Sequence, residues 1–192
     1  ATTHRLATTI LGALSQAIPE RVPAAYYGVS YVATFQTIAE DGARGVLVEI
    51  EVGGSGAHHD EDGLSAYTYG MHNNSNIPAE MIESEMPLTI LAYGLLPGSG
   101  GAGRQRGGLG LFREWRVDSP EAIFSANAER FRYRPYGLDG GEEGREGHMT
   151  LIRDGARTEL GSKVNNLALK KGDIIRLETS GGGGYGGGRG NY

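Results

Sequence analysis

The 192-residue sequence contains no cysteine, which excludes a disulfide scaffold, a thiolate metal site and a cysteine nucleophile. No apolar run approaches the ~18 residues needed to span a bilayer. The stretch Leu6–Ile18 is interrupted by Thr8, Thr9, Ser15 and Gln16 and does not suit a secretory leader. A soluble, cytoplasmic protein with no membrane partner is the expectation. The GxxxxGK loop that cradles nucleotide phosphates is absent. Gly98, Gly100 and Gly103 satisfy GxGxxG literally, but further glycines and a strand pattern follow them rather than a helix, which excludes a dinucleotide fingerprint. Basic excess is also missing: the net charge is −5. Duplex binding needs clustered Lys and Arg to neutralise phosphates, so no nucleic-acid partner is expected.

What the chain has instead is glycine, 33 residues of 192, about twice the ~7% of ordinary proteins. The densest run is Gly98–Gly110, GSGGAGRQRGGLG, leading into LFREWRV. Glycines at this density are read as a device for bringing backbone amides close to an anion or another chain rather than for packing. Arg104 and Arg106 add guanidinium groups suited to carboxylate or phosphate. The candidate anion-facing or interface residues are therefore Arg104, Arg106, Gly101, Gly103 and Gly182, Gly183 and Gly184. The length fits one domain on a prior of roughly 100 to 200 residues, here 1–186, with a glycine-rich tail at 187–192. Loops this costly to order, and a start at Ala1, suggest a piece of a larger assembly.

Along the chain, Leu6, Ile10, Ala13, Leu14 and Ala17 recur at helical spacing and predict a helix to about Ile18 that packs an apolar stripe on a sheet. Thereafter the period is two. Tyr27–Phe35, Gly45–Val52, Leu88–Leu96, Phe112–Val117, Ala122–Tyr133, His148–Arg153, Ala156–Leu160 and Ile174–Glu178 read as strands, with hairpins at Asp41-Gly42 and Asp154-Gly155. Short strands between glycine turns predict a mainly β (α+β) fold: an antiparallel sandwich or barrel-like body with an N-terminal helix and Gly-rich loops. The tip GGSGAHHDEDG places His58, His59 and Asp60 together, and with His72 they form a candidate metal set or a solvated loop. In MHNNSNIPAEMIESEMP, Asn73, Glu80 and Glu83 are candidate acid–base or interface residues, since a short helical turn opened by Pro78 puts both glutamates on one face.

The segments PGSGGAGRQRGGLGLFREWR, RPYGLDGG and TSGGGGYG, together with Asn73, Pro78, Glu80 and Glu83, resemble the hydantoinase B family, the B-type parts of ATP-dependent hydantoinases, 5-oxoprolinases and acetone or acetophenone carboxylases. The resemblance runs from the opening helix to Tyr185 and corresponds to the C-terminal part of a B-type chain. It implies a small subunit or C-terminal portion of an ATP-dependent cyclic amide hydrolase or ketone carboxylase, inactive alone and contributing to an interface and to active-site lining. Its implied partners are larger A-type, ATP-binding subunits and the N-terminal B-type part, with a cyclic amide or ketone as substrate. ATP and a divalent metal are expected on those partners, and no cofactor is assigned to this chain. Two alternatives stand beside it: a non-catalytic assembly module, and a stand-alone metal-dependent hydrolase built on the His/Asp loop.

Overall fold

The structure is a computed structural model and describes residues 2–70 and 72–187. Apart from Gly187, the expected tail lies outside the described residues. In chain order the elements are α1 (Thr2–Leu14), β1 (Tyr31–Ile38), β2 (Arg44–Glu51), α2 (Ala79–Glu85), β3 (Leu88–Leu95), β4 (Leu111–Val117), β5 (Glu121–Asn127), β6 (His148–Arg153), β7 (Ala156–Glu159), β8 (Lys163–Lys170) and β9 (Ile174–Glu178).

Two antiparallel sheets, ordered β2-β1-β5-β8 and β3-β4-β9-β6-β7, form a sandwich rather than a closed barrel. Alternation supplies each inner face. Tyr31, Ala33 and Phe35 of β1 and Phe124 of β5 meet Leu111, Trp115 and Val117 of β4 and Ile175 and Leu177 of β9. Phe35 sits at the centre, 4.8 Å from the Phe124 ring and 5.6 Å from Trp115. The hairpins at Asp41-Gly42 and Asp154-Gly155 form as the turn residues predict.

Three expectations are corrected. The helix ends at Leu14, and its apolar stripe does not pack on a sheet: Leu6, Ile10 and Leu14 are exposed, and α1 instead rests through Thr8 against Tyr26. The strand expected to reach Tyr133 ends at Asn127, because Arg130 takes a positive φ of 61° that no strand accommodates. Strand β8 is an addition to the expected set. A register shift in its pairing with β5, and a φ of 52° at Asn166, break the alternation that would have marked it.

The role of glycine is corrected as well: these residues do pack. Segments 22–27, 52–57, 99–110, 135–144 and 180–186 lie outside both sheets and are joined by main-chain hydrogen bonds, among them Gly54 N–H to Ser180 O (3.0 Å), Gly108 N–H to Ser55 O (2.9 Å), Gly182 N–H to Gly108 O (2.9 Å) and Ala25 N–H to Tyr136 O (2.9 Å). Backbones approach so closely that a Cβ on Gly182 would lie 1.8 Å from the Ser55 carbonyl oxygen, and one on Gly54 would lie 1.9 Å from that of Gly108. Only hydrogen at Cα permits this spacing.

Candidate functional site

Between the sheets lies a charged cluster. Period two in LFREWRV puts Arg113 on the inward face with Leu111, Trp115 and Val117, and the buried face of β2 carries Leu47, Glu49 and Glu51. Arg113 Nη1 is 2.9 Å from Glu49 Oε1 and 3.2 Å from Glu51 Oε1. Its Nη2 donates to the Ile77 carbonyl at 3.2 Å, Trp115 Nε1 donates to Glu49 Oε2 at 2.5 Å, and the guanidinium lies 4.9 Å from the Tyr93 ring centroid. All three ionisable side chains are at most 2% exposed. One guanidinium cannot compensate two buried carboxylates, so burial, with Glu49 beside it, pushes Glu51 up to about 7 against the opposing pull of Arg113. Burial also raises Glu49, opposed by Arg113 and the Trp115 N–H.

The glycine layer carries a second constellation at its margin. Arg106 N–H donates to Asp62 Oδ1 at 2.7 Å, Gly63 N–H to the Arg106 carbonyl at 2.7 Å, and Arg104 Nη2 to the His59 carbonyl at 3.1 Å. The His/Asp tip and the arginine segment, 44 residues apart, are thus side by side. Arg104 and Arg106 are exposed, and the Arg106 guanidinium has no bonding partner among the described residues. The predicted glycines behave differently. The amides of Gly101, Gly182, Gly183 and Gly184 donate to the carbonyls of Gly182, Gly108, Ala25 and Glu142, so anion binding at this margin would fall to the arginine side chains. Gly103 approaches Tyr185 within the same layer: a Cβ there would lie 2.7 Å from the Tyr185 carbonyl oxygen.

A third group surrounds His72. Ser30 Oγ lies 2.5 Å from His72 Nδ1, and the His4 ring stacks on His72 at 3.7 Å. These residues line a 270 Å³ cleft with Asn73, Asn74 and Asn127. Burial, reinforced by His4, lowers the His72 pKa to about 4. An imidazole NMR titration is therefore expected to find His72 still neutral at pH 5, where an ordinary histidine is charged. A midpoint near 6.5 would show that this pocket does not form.

The remaining candidates separate. Among the described residues no group of three or more His, Asp or Glu side chains is placed to hold a metal ion, so His58, His59, Asp60 and His72 do not assemble as a ligand set. His58 Nε2 is 3.4 Å from Tyr69 Oη, and His59 Nδ1 is 3.1 Å from Asp60 Oδ1. Glu80 is exposed. Glu83 Oε1 accepts the Ile90 amide at 2.8 Å, where the pairing of β3 with β4 shifts register. Arg134 pairs with Glu146 at 2.5 Å.

A sequence profile described as hydantoinase B/oxoprolinase matches residues 1–188. The chain belongs to the hydantoinase B/oxoprolinase family. A protein of Pseudomonas sp. strain NS671, named as the B-type subunit of a D-/L-hydantoinase, is 34% identical over 190 residues, covering 95% of this chain and 31% of its own length. The ATP-dependent caprolactamase of Pseudomonas jessenii superposes with a TM-score of 0.75 at 26% identity, covering 91% of this chain and 32% of that one. A nucleotide-free acetone carboxylase shares the fold, with a TM-score of 0.71 at 17% identity over 90% of this chain and 28% of its own. This hydantoinase B domain thus spans about a third of the length of these relatives. Among its described residues no helix is long and apolar enough to cross a membrane.

Sequence reasoning missed Ser30, His4 and the Arg113–Glu49–Glu51 cluster. The arginine was findable: a cation at an apolar register position of a strand has to meet a buried anion. Ser30 and His4 meet His72 only through tertiary structure, across 42 residues in the case of Ser30.

Proposed function

We propose that this hydantoinase B domain works inside a multi-subunit ATP-dependent enzyme that hydrolyses a cyclic amide or carboxylates a ketone. The observation that carries the reading is the family match over residues 1–188, joined to a fold shared with an ATP-dependent caprolactamase. Within that enzyme the domain supplies an interface and part of the active-site lining, while ATP and its divalent metal sit on the A-type and N-terminal B-type partners. Activation of the substrate by phosphoryl transfer puts negative charge on an oxygen, and the exposed guanidinium groups of Arg104 and Arg106 suit such a group.

In the reconstituted enzyme, Arg104→Ala and Arg106→Ala are each expected to lower turnover at least tenfold without moving the melting temperature of the isolated domain, because both side chains are exposed. Wild-type turnover in both variants would remove the assigned role. Weakened assembly with full activity in the residual complex would identify a purely structural module instead, a reading favoured by the internal use of the glycine amides.

A further inference from the structure

Strand β2 is built against the usual rule. Its acidic face is inside, and Val46, Val48 and Ile50 point outward with exposures of 66%, 49% and 38%. Ile38 of β1 and Ile123 of β5 extend this apolar surface at 39% and 40%. Because β2 ends its sheet, its outer main-chain edge also has no strand beside it among the described residues.

The other three edges are guarded in the ways that prevent unwanted pairing. Strand β7 is only four residues long and carries Arg157 and Glu159. Lysines close both ends of β8, Lys163 and Lys170, and Asn166 interrupts it with a positive φ. A register shift between Ile90 and Ala92 disturbs β3. Strand β2 has eight residues in unbroken register with β1, and its only cation is Arg44 at the start. An edge in unbroken register whose exposed face carries Val46, Val48 and Ile50, its two carboxylates being turned inward onto Arg113, is open to another strand.

A slot lies beside this edge. Val48, Glu49 and Ile50 face Asn73, Asn74, Ser75, Asn76 and Ile77 across a slot of 320 Å³. Residues 73–77 line the slot together with β2, and one extended strand pairing with an edge sits about 4.8 Å from it. Asparagine carboxamides opposite a strand edge can serve both the N–H and C=O groups of a backbone inserted between them. About two thirds of each compared relative lies outside the region this chain matches, so further polypeptide accompanies the domain in this family.

We propose that β2 and the 73–77 segment form a receptor slot for one extended strand of that accompanying B-type polypeptide, which joins the sheet at β2 and sets its own side chains beside Val46, Val48 and Ile50. This rests on the reading of the domain as part of a larger enzyme. The test compares amide hydrogen exchange in the isolated chain and in the native assembly purified from its source, with Val48→Lys as the variant. The expected result is at least tenfold slower exchange of the 44–51 amides in the assembly, and at least tenfold weaker association for Val48→Lys with unchanged near-UV circular dichroism. An active assembly in which β2 exchanges as fast as in the isolated chain would overturn the slot and leave the enzyme reading standing. Isolation of the chain alone, or as a homodimer dissolved by Val48→Lys, would overturn both.

Discussion

Gly182→Ala is expected to prevent stable folding, or to lower the melting temperature by roughly 10–20 °C, the range for a loss of about 5 kcal/mol in a domain of this size. The added methyl would lie 1.8 Å from the Ser55 carbonyl oxygen and 2.8 Å from the Gly56 nitrogen. Neither neighbour is a side-chain tip that can rotate away, and moving Ser55 disturbs its carbonyl's bond from Gly108 N–H and its amide's bond to Leu64 O. Gly161→Ala is the matched control, since its added carbon meets only the Lys163 carbonyl at 3.9 Å. Thermal unfolding of the two variants separates the effect of packing from that of composition. Equal melting temperatures would mean that the glycine layer is looser than described.

Arg113→Met is expected to cost about 3–5 kcal/mol at pH 8, because it leaves Glu49 and Glu51 buried without a cation. The loss should shrink on acidification to pH 5, as the carboxyls protonate and the uncompensated charge disappears. Adding Glu49→Gln and Glu51→Gln should recover much of it even at pH 8. Urea denaturation at both pH values reads all of these outcomes, and a pH-independent loss would mean that packing rather than charge dominates.

The wild-type protein carries two opposed pH dependences. Glu51, raised from 4.5 to about 7, binds its proton more tightly when folded, so its contribution to stability is present at low pH and is lost as pH rises through that interval. His72, lowered from 6.5 to about 4, contributes stability above 6.5 that is lost as pH falls. The two slopes offset across much of the same range. Glu51→Gln should therefore expose a rise in stability between pH 4 and 6.5 that the unaltered protein conceals.

Much of the sandwich was legible because its strands alternate. Ile174–Glu178 and both hairpins sit where period and turn residues place them. In GVLVEIEV the alternation was equally clear but did not say which face turns inward. Judged by hydrophobicity alone the valine and isoleucine face would be chosen, yet Arg113 on the opposite sheet draws Glu49 and Glu51 inside. The glycine-rich segments were recognisable as unusual, and their resemblance to a family was specific. Their physical role was not legible, because backbone-to-backbone packing leaves no periodicity of side chains to read. The arginines and the His/Asp tip stand out separately in the sequence, and their adjacency depends on main-chain bonds such as Gly63 N–H to Arg106 O.

The segment 180–186 is the last-made member of the glycine layer and bonds to its four earlier members, through Ser180 to Gly54, Gly182 to Gly108, Gly183 to Ala25 and Gly184 to Glu142. During synthesis the first four members, which bond to one another at points such as Gly108 to Ser55, are made before the one segment that touches all of them. Contacts this distant in sequence make folding slow and leave partly formed states exposed. A nascent chain stalled before residue 180 should thus remain a chaperone client however well its hairpins have formed, and release of a few more glycines should end that dependence.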